Sequence, residues 1–365
     1  RGIHSVIGHR PRATIGGMGQ LGRTVGLDEV AELRALLRRR DRAARQIGLA
    51  LLRSWSAGEL GAVGARAVLE AAGGSYPMLP GSLDHPAELL VRLLWDDPTL
   101  VPVADVVRVY VVAGERARRA LVHLLALRRD DGGLEGLEFV VGPDAPAELL
   151  PVPTTPILDP LADHPDPARV TDLLCHLLAR PGWTWHAADL LGRREAAGPS
   201  GPEVRRGIMD RVEAAAVDLV DVCNRSALGD PRAGDAARGE RQSLASLVWL
   251  LDELTEQDVG PTLAAMLGSS DPRVSAMGAV RLVGRGEPVA PERLVLIARD
   301  PVARADLHDG LVAVAPDDAD RIDQVQVAEG ELARWLCDVT ELGRVPDEME
   351  HVTTVAHPEV AGDRL

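Results

Sequence analysis

Apolar residues recur at helical spacing from Leu27 onward, after a first segment that shows no such period. Over residues 27–51 the apolar positions stand three, four or seven apart, which places them on one face of a helix. They are Val30, Leu33, Leu37, Ala44, Ile47 and Leu51. The spacing predicts one amphipathic helix at the start of the helical part of the chain.

The helical pattern continues to about residue 316, and almost nothing in this range has the alternating pattern of a strand. Gly and Pro residues divide the range into separate helices. The further predicted helices cover 59–72, 86–96, 102–110, 114–128, 168–180, 184–192, 201–224, 240–254, 258–268, 273–284, 290–298 and 302–314. The chain is therefore expected to be all-α.

Two matching segments mark helix starts. The sequence DPRVSA at 271–276 returns 29 residues later as DPVARA at 300–305. Aspartate accepts hydrogen bonds from the free N–H groups of a first helical turn, and proline at the first position loses no needed donor. Small residues such as Gly278 let a neighbouring helix approach closely, and a period near 30 is typical of stacked helical hairpins. His85 and His164, each in an Asp-His-Pro turn, are also predicted to be helix-start residues.

The segment from Gly260 to Val314 resembles HEAT-type helical repeats. Its leading helix, PTLAAML at 261–267, runs into the Asp-Pro start at 271, and two units of roughly 30 residues follow one another. The resemblance implies an α-solenoid, a superhelical stack of hairpins whose inner helices form an extended binding surface. Many members of this class are scaffolds or adaptors, and a minority act on nucleic acid or as bilin lyases.

Composition and punctuation predict five segments. They are a flexible Gly/Arg-rich tail at 1–26, N-terminal helical repeats at 27–137, a Pro-rich connection at 138–168, C-terminal HEAT-like repeats at 169–316 and a small mixed extension at 317–365. The extension, with a helix at 331–337 and a strand at 351–356, resembles a short α+β extension of some actinobacterial proteins of unknown role. Because an isolated terminal strand needs partners, we expect the natural chain to continue past Leu365.

The composition indicates a GC-rich genome and an acidic protein. All 40 basic residues are Arg, and Asn occurs once, at Asn224. The formal net charge of −15 argues against a general nucleic-acid binder, because such proteins present a basic face. The charge is uneven along the chain: residues 1–50 hold ten Arg and four acids, whereas residues 300–365 hold five Arg and sixteen acids.

Catalytic and metal-binding motifs are weak. The three cysteines, Cys175, Cys223 and Cys337, include no CxxC pair, so they indicate neither a disulfide framework nor a zinc site and favour a reducing, cytoplasmic location. No apolar run approaches the roughly 18 residues of a membrane span. GMGQLG at 17–22 matches a dinucleotide-loop pattern but lacks the strand and the acidic residue that the loop needs. No catalytic residue, metal or cofactor is predicted.

Six residues are predicted to contact a partner. They are Arg34, Arg38, Arg42, Arg45, Trp183 and Trp185. The four arginines share one face of the predicted first helix and suit an acidic protein, the chain's own acidic C-terminus or phosphates; a solvated outer face of a first repeat is the alternative. An exposed tryptophan pair suits recognition, although such residues more often fill the end of a helical hairpin.

These observations favour a non-enzymatic scaffold that binds a protein or peptide along a solenoid surface, without a membrane. A helical-repeat protein that binds nucleic acid through the N-terminal arginines is an open alternative. An enzyme with an unrecognised site is another.

Overall fold

The structure, a computed structural model, describes residues 24–39, 41–74, 85–153, 156–180, 182–227, 234–254, 260–339, 355–356 and 363–364. Helices dominate this part of the chain, which confirms the all-α prediction. None of the helices in these ranges is both long and apolar enough to cross a membrane. The chain divides into two compact units, Arg1–Arg128 and Arg129–Leu365.

The first unit is built from helical hairpins. Its described helices are α1 (Leu27–Arg38), α2 (Arg42–Ser54), α3 (Ala57–Ala72), α4 (Pro86–Leu93), α5 (Val103–Val112) and α6 (Glu115–Leu127), with a 3-10 helix at Pro98–Leu100. α1 packs on α2, α3 on α4 and α5 on α6, while α1, α3 and α5 form one layer and α2, α4 and α6 the other. Contact of each helix with its hairpin partner and with the next helix of its own layer is the pattern of a helical-repeat stack.

The second unit is also built from helical hairpins. Its described elements are α7 (Asp131–Val141), α8 (Pro167–Leu177), α9 (Thr184–Ala197), α10 (Pro202–Ala227), α11 (Gly234–Leu254), α12 (Gly260–Leu267), α13 (Pro272–Gly284), α14 (Pro291–Ile297), α15 (Pro301–Val314), α16 (Pro316–Ala319), α17 (Gln324–Val339), 3-10 helices at Ala147–Leu149 and Asp159–Asp163, and strands β1 (Val355–Ala356) and β2 (Asp363–Arg364). From α8 to α15 the helices pair as hairpins, with α9, α11, α13, α15 and α17 in one layer and α8, α10 and α12 in the other.

The two Asp-Pro pairs begin helices as predicted. Asp271 accepts hydrogen bonds from the N–H groups of Arg273 (3.0 Å) and Val274 (3.3 Å) at the start of α13. Asp300 accepts one from the N–H of Ala303 (2.8 Å) at the start of α15. Each carboxylate therefore satisfies donors that the first turn leaves without a helical acceptor.

The two histidines predicted at helix starts behave differently. His85 begins α4, where its Nδ1 accepts a hydrogen bond from the N–H of Ala87 (3.1 Å). For His164 the prediction was wrong, because Asp166 begins α8 and accepts from the N–H of Arg169 (3.1 Å). Asp166 is followed by Pro167, and this Asp-Pro pair makes the helix start, while His164 Nδ1 accepts from the N–H of Asp166 (3.1 Å).

The single helix predicted over 27–51 is wrong, since the structure has two. α1 ends at Arg38, and Asp41 begins α2 by accepting from the N–H groups of Ala43 (3.1 Å) and Ala44 (3.3 Å). The seven-residue step between the apolar residues Leu37 and Ala44 spans this break, so the stripe belongs to two helices rather than one.

The predicted Pro-rich connection at 138–168 is partly helical and partly buried. α7 runs to Val141 inside it, and two 3-10 helices and the first residues of α8 also lie there. α7 was missed because Gly132 and Gly133 indicated a turn; Asp130 instead begins the helix by accepting from the N–H of Gly133 (2.8 Å). Leu161 is fully buried, so the connection supplies core residues as well as extended chain.

Small residues allow close helix packing, as predicted. Ala276, Ala279 and Ala303 are fully buried in the core between α13 and α15. A Cβ on Gly278 would lie 2.7 Å from the backbone N of Leu267, which is closer than real Cβ atoms approach. The absence of a side chain at this position lets α12 and α13 touch.

Asn224, the one asparagine of the sequence, ties α10 to the turn before α13. Its Oδ1 accepts hydrogen bonds from the Ser269 hydroxyl (2.6 Å), the Ser270 N–H (2.8 Å) and the Ser270 hydroxyl (3.1 Å). The Ser269 hydroxyl also accepts from the N–H of Asp271 (3.1 Å). The turn that precedes the Asp271 cap is thus held by a second hairpin.

The termini are described only in part. Strands β1 and β2 pair antiparallel, with Val355 opposite Arg364. These short strands do not show the predicted α+β extension, which stays a prediction. Most of the predicted tail, including the GMGQLG segment at 17–22, lies outside the described residues.

Candidate interaction surfaces

Four exposed arginines surround the turn between α1 and α2, and we call Arg34, Arg38, Arg39 and Arg42 the arginine patch. Three of them were predicted to contact a partner. None of their guanidinium groups forms an ion pair or side-chain hydrogen bond with any residue of the described chain. The turn contains one carboxylate, that of Asp41, and it already accepts hydrogen bonds from the N–H groups at the start of α2.

Arg45 does not belong to this patch. It is only 8% exposed, and its Nε donates a hydrogen bond to the carbonyl oxygen of Arg39 (2.9 Å). The prediction that all four arginines share one helical face is wrong, because the helix breaks between Arg38 and Arg42. The break turns the last arginine inward, where it holds the end of α1.

Arginines further along the first unit are bound to carboxylates of neighbouring helices. Arg66 Nε of α3 donates to Asp105 of α5 (2.6 Å), and Arg116 Nε of α6 donates to Glu88 of α4 (2.7 Å). Arg108 Nη2 of α5 donates to Glu70 of α3 (2.9 Å) and, within its own helix, to Asp105 (3.0 Å). Burial alone would raise the pKa of Asp105, but the hydrogen bonds from Arg108 and Arg66 outweigh it and lower that pKa. These cations join one helix to the next, whereas those of the arginine patch do not.

The two predicted tryptophans do not form an exposed pair. Trp183 is 1% exposed and lies in the core at the start of α9. It therefore fills the end of a helical hairpin, which was the alternative to an exposed recognition residue. Trp185 is half-buried and stacks on the imidazole of His186, with 3.5 Å between ring centroids. Burial lowers the pKa of His186. This corner is packed and offers no open aromatic surface.

The cysteines at described positions are buried thiols. Burial raises the pKa of Cys175 to about 11 and that of Cys223 to about 12, which disfavours the reactive thiolate. The side chain of Cys337 lies outside the described part. Among the described residues, no three His, Cys, Asp or Glu side chains are placed to hold a metal ion.

A groove crosses the layer formed by α11, α13 and α15, and we call it the interhelix groove. It has a volume of about 520 Å³. Its central lining is small or apolar, from Ala245, Met277, Val280 and Gly310. A Cβ on Gly310 would lie 2.5 Å from a methyl carbon of Val280, so the glycine lets α13 and α15 lie close together beneath the groove.

Charged side chains stand at both ends of the interhelix groove. At one end Arg241 donates to Asp271 (2.9 Å) and Arg273 donates to Asp306 (2.6 Å). At the other end Arg281 donates to a carboxylate of α11, that of Asp252. Sequence reasoning missed this site, although Arg273, Met277 and Arg281 recur four apart and must share a face of α13.

A second cavity, of about 620 Å³, lies among α14, α15 and the residues that precede α17. Apolar side chains supply much of its lining, among them Leu294, Leu307, Leu311 and Ile322. Charged residues such as Arg299 also line it. Its chemistry is that of an apolar pocket and differs from that of the interhelix groove.

No family model matches the sequence, and comparison with curated proteins and with solved structures finds no significant match. The HEAT-type resemblance therefore stays a prediction.

Proposed function

We propose that this chain is a non-enzymatic helical-repeat protein that binds an acidic protein partner through the arginine patch. The observation that supports it is the exposure of four guanidinium groups that have no partner in the described chain. In contrast, the arginines of α3, α5 and α6 named above donate hydrogen bonds to carboxylates. Guanidinium groups bind carboxylates in bidentate geometry and are easily desolvated, which suits a protein interface.

The position of Arg42 supports a role in binding rather than in stability. It is the first residue of α2, where the helix macrodipole carries partial positive charge. A cation there is locally unfavourable, and Asp41 is the only carboxylate at this turn. An acidic partner would supply the missing negative charge. A polyanionic nucleic acid fits less well, because the chain as a whole carries a formal charge of −15.

We also propose that the repeats are HEAT-like and that the protein works in the cytoplasm. The stacked hairpins and the Asp-Pro helix starts support the first proposal. The buried, unpaired thiols of Cys175 and Cys223 support a reducing compartment.

The test is affinity capture with the full chain as bait in a lysate of a GC-rich actinobacterium, with quantitative mass spectrometry of the bound proteins. Bait with Arg34, Arg38 and Arg42 all changed to Gln is compared with wild type. The proposal expects at least one protein with an acidic segment that is depleted about tenfold or more, since each lost charge-assisted hydrogen bond weakens binding by roughly 1.5–3 kcal/mol.

A matched control removes the same charge elsewhere. Arg206, Arg211 and Arg225 are exposed residues of α10 without ion pairs in the described chain, and changing all three to Gln should leave the captured partner bound. Equal loss with both triple variants would show a general charge effect and contradict the proposal. Retention of the wild-type protein on DNA or RNA at low salt, lost with the patch variant, would favour nucleic acid instead.

A further inference from the structure

The cavity among α14, α15 and the residues that precede α17 has the size of a small-molecule site, and we call it the α14–α15 cavity. Its volume of about 620 Å³ lies within the range of roughly 300–1,000 Å³ that is usual for ligand pockets. Leu307 and Leu311 of its lining are buried core residues of α15. Leu294, Ala298 and Ile322 pack on the same core but are only half-buried. The cavity therefore exposes apolar surface that a ligand can cover.

Most charged side chains at the α14–α15 cavity already have partners within the protein. Arg304 donates to two backbone carbonyl oxygens and lies 3.7 Å from a carboxylate oxygen of Glu329. Arg321 pairs with Asp318 (3.0 Å). Asp323 accepts hydrogen bonds from two N–H groups in the first turn of α17. These side chains therefore do not call for a charged ligand.

Arg299 differs from these residues. It is exposed, and its guanidinium group forms no hydrogen bond or ion pair with any residue that the structure describes. It follows Val295, which is 61% exposed, by four residues, so the two side chains lie about one turn apart beside the cavity. A cation that is open to a ligand therefore adjoins accessible apolar surface.

We infer that the α14–α15 cavity binds a small amphipathic carboxylate of the medium-chain fatty acid class, with its alkyl chain on the apolar lining and its carboxylate on Arg299. Apolar contact supplies most of the affinity, because burial of each methylene group strengthens binding by about fourfold. The carboxylate fixes the orientation, since a guanidinium can bind both of its oxygens. This site goes beyond the proposed function and does not involve the arginine patch.

Equilibrium dialysis of the full chain against radiolabelled decanoate at pH 7.4 tests the inference. We expect a Kd of roughly 10–500 µM, which is reasonable for a ligand of this size. Decanol, which has the same chain length without the charge, should bind at least fivefold more weakly. Hexanoate, which has a shorter chain, should bind at least tenfold more weakly. No decanoate binding below 1 mM, or equal binding of decanoate and decanol, would overturn the inference.

A charge variant locates the carboxylate. Arg299→Gln should weaken decanoate binding about tenfold, because it removes a charge-assisted hydrogen bond, and should leave decanol binding unchanged. Arg206→Gln, which removes an exposed arginine of α10 that has no ion pair in the described chain, is the matched control and should change neither. Equal losses of decanoate binding with both variants would show a general charge effect and contradict a site at Arg299.

A filling variant locates the alkyl chain. Ala298 is half-buried and has right-handed helical φ and ψ, which phenylalanine also adopts. Ala298→Phe should weaken the binding of decanoate and decanol alike by about tenfold or more, because the new side chain occupies apolar space in the cavity. Circular dichroism and thermal denaturation establish that the variant is folded. Unchanged binding by a folded variant would place the ligand outside the cavity.

Two further results define the ligand and the site. Tighter binding of the tripeptide Ala-Leu-Leu, which has a terminal carboxylate beside apolar side chains, would assign the cavity to the C-terminus of a peptide and overturn the inference. The variant with Arg34, Arg38 and Arg42 changed to Gln should bind decanoate like wild type. Loss of binding in that variant would place the carboxylate on the arginine patch and also overturn the inference, while the proposed function would stand.

Discussion

Asp271 alone connects three parts of the second unit: the start of α13, helix α11 and the turn that precedes α13. Its side chain accepts hydrogen bonds from the N–H groups at the start of α13 and from the guanidinium of Arg241 on α11. Its own N–H donates a hydrogen bond to the hydroxyl of Ser269. It is 2% exposed, so its carboxylate is almost completely shielded from water. The side chain of Asp300 begins α15 in the same way, but within the described chain it accepts a hydrogen bond only from the N–H of Ala303.

This difference predicts unequal costs for the same substitution. Asp271→Ala should lower the free energy of unfolding by roughly 2–4 kcal/mol, because it removes a cap and leaves a partly buried arginine without its carboxylate. Asp300→Ala should cost only about 1 kcal/mol, the usual value of a cap. Urea denaturation followed by circular dichroism measures both, and equal costs would show that the Arg241 ion pair adds nothing.

His85 predicts a pH dependence of stability. Burial lowers the pKa of His85 from 6.5 to about 4. The negative charge of Glu88 opposes this shift, and the positive charge of Arg116 adds to it. Because the unfolded chain binds the proton first, the stabilising contribution is complete above pH 6.5 and is lost as the pH falls from 6.5 toward 4, by at most roughly 3 kcal/mol. Protonated Nδ1 could no longer accept the N–H of Ala87.

The variant His85→Ser isolates this effect. Serine keeps an acceptor for the helix start and forms a capping box with Glu88, but it does not titrate. The melting temperature of wild type should fall further than that of the variant between pH 6.5 and pH 4.5. Parallel curves for the two proteins would exclude His85 as the source.

At the scale of elements, glycines set the distances between helices of one layer. Gly310 lies against Val280 between α15 and α13, and Gly330 lies against Pro301 and Ala305 between α17 and α15. A Cβ on Gly330 would lie 2.5 Å from the carbonyl oxygen of Pro301. Backbone cannot move aside as a flexible side chain can, so these contacts fix how closely successive hairpins stack.

Gly330→Ala should therefore destabilise the second unit by about 1–3 kcal/mol, the usual cost of overpacking. Gly207→Ala is the matched control, because Gly207 lies within α10 with nothing within 4 Å of the added Cβ. There the better helix propensity of alanine should stabilise by roughly 0.5–1 kcal/mol. Thermal denaturation distinguishes the two signs, and destabilisation by both variants would contradict this account.

Local chemistry made some elements predictable and others not. The start of α13 could be predicted because aspartate, proline and the first-turn N–H groups are neighbours in sequence. α7 was missed because Gly132 and Gly133 dominate its first turn, and α1 and α2 were merged because their apolar stripes share one phase. The interhelix groove depends on pairs such as Arg281–Asp252, 29 residues apart, which only tertiary packing brings together.

At the scale of the whole molecule, each unit is a stack in which stability comes from neighbouring hairpins. Among the described helices of the first unit, α3 packs on α1, α4 and α5, whereas the main contacts of α1 are with α2 and α3. In such stacks the terminal repeat has a single neighbour and opens at lower free energy. The arginine patch lies on the first described hairpin of this unit, α1 and α2.

Hydrogen exchange should show this gradient. Amides of α3 and α4 should exchange about tenfold or more slowly than those of α1, since about 1.4 kcal/mol of opening free energy corresponds to a factor of ten. Exchange measured by mass spectrometry on peptides from the full chain tests the expectation. Equal protection of α1 and α3 would mean that the unit opens only as a whole.

Asn224 is placed so that deamidation to aspartate would keep the hydrogen bonds that its side chain accepts. Its three hydrogen bonds from Ser269 and Ser270 all use Oδ1 as acceptor. Deamidation converts the side chain to a carboxylate, which accepts hydrogen bonds with both oxygens. The chain's one asparagine side chain could therefore lose its amide nitrogen while the turn before α13 kept every bond that this side chain makes to it.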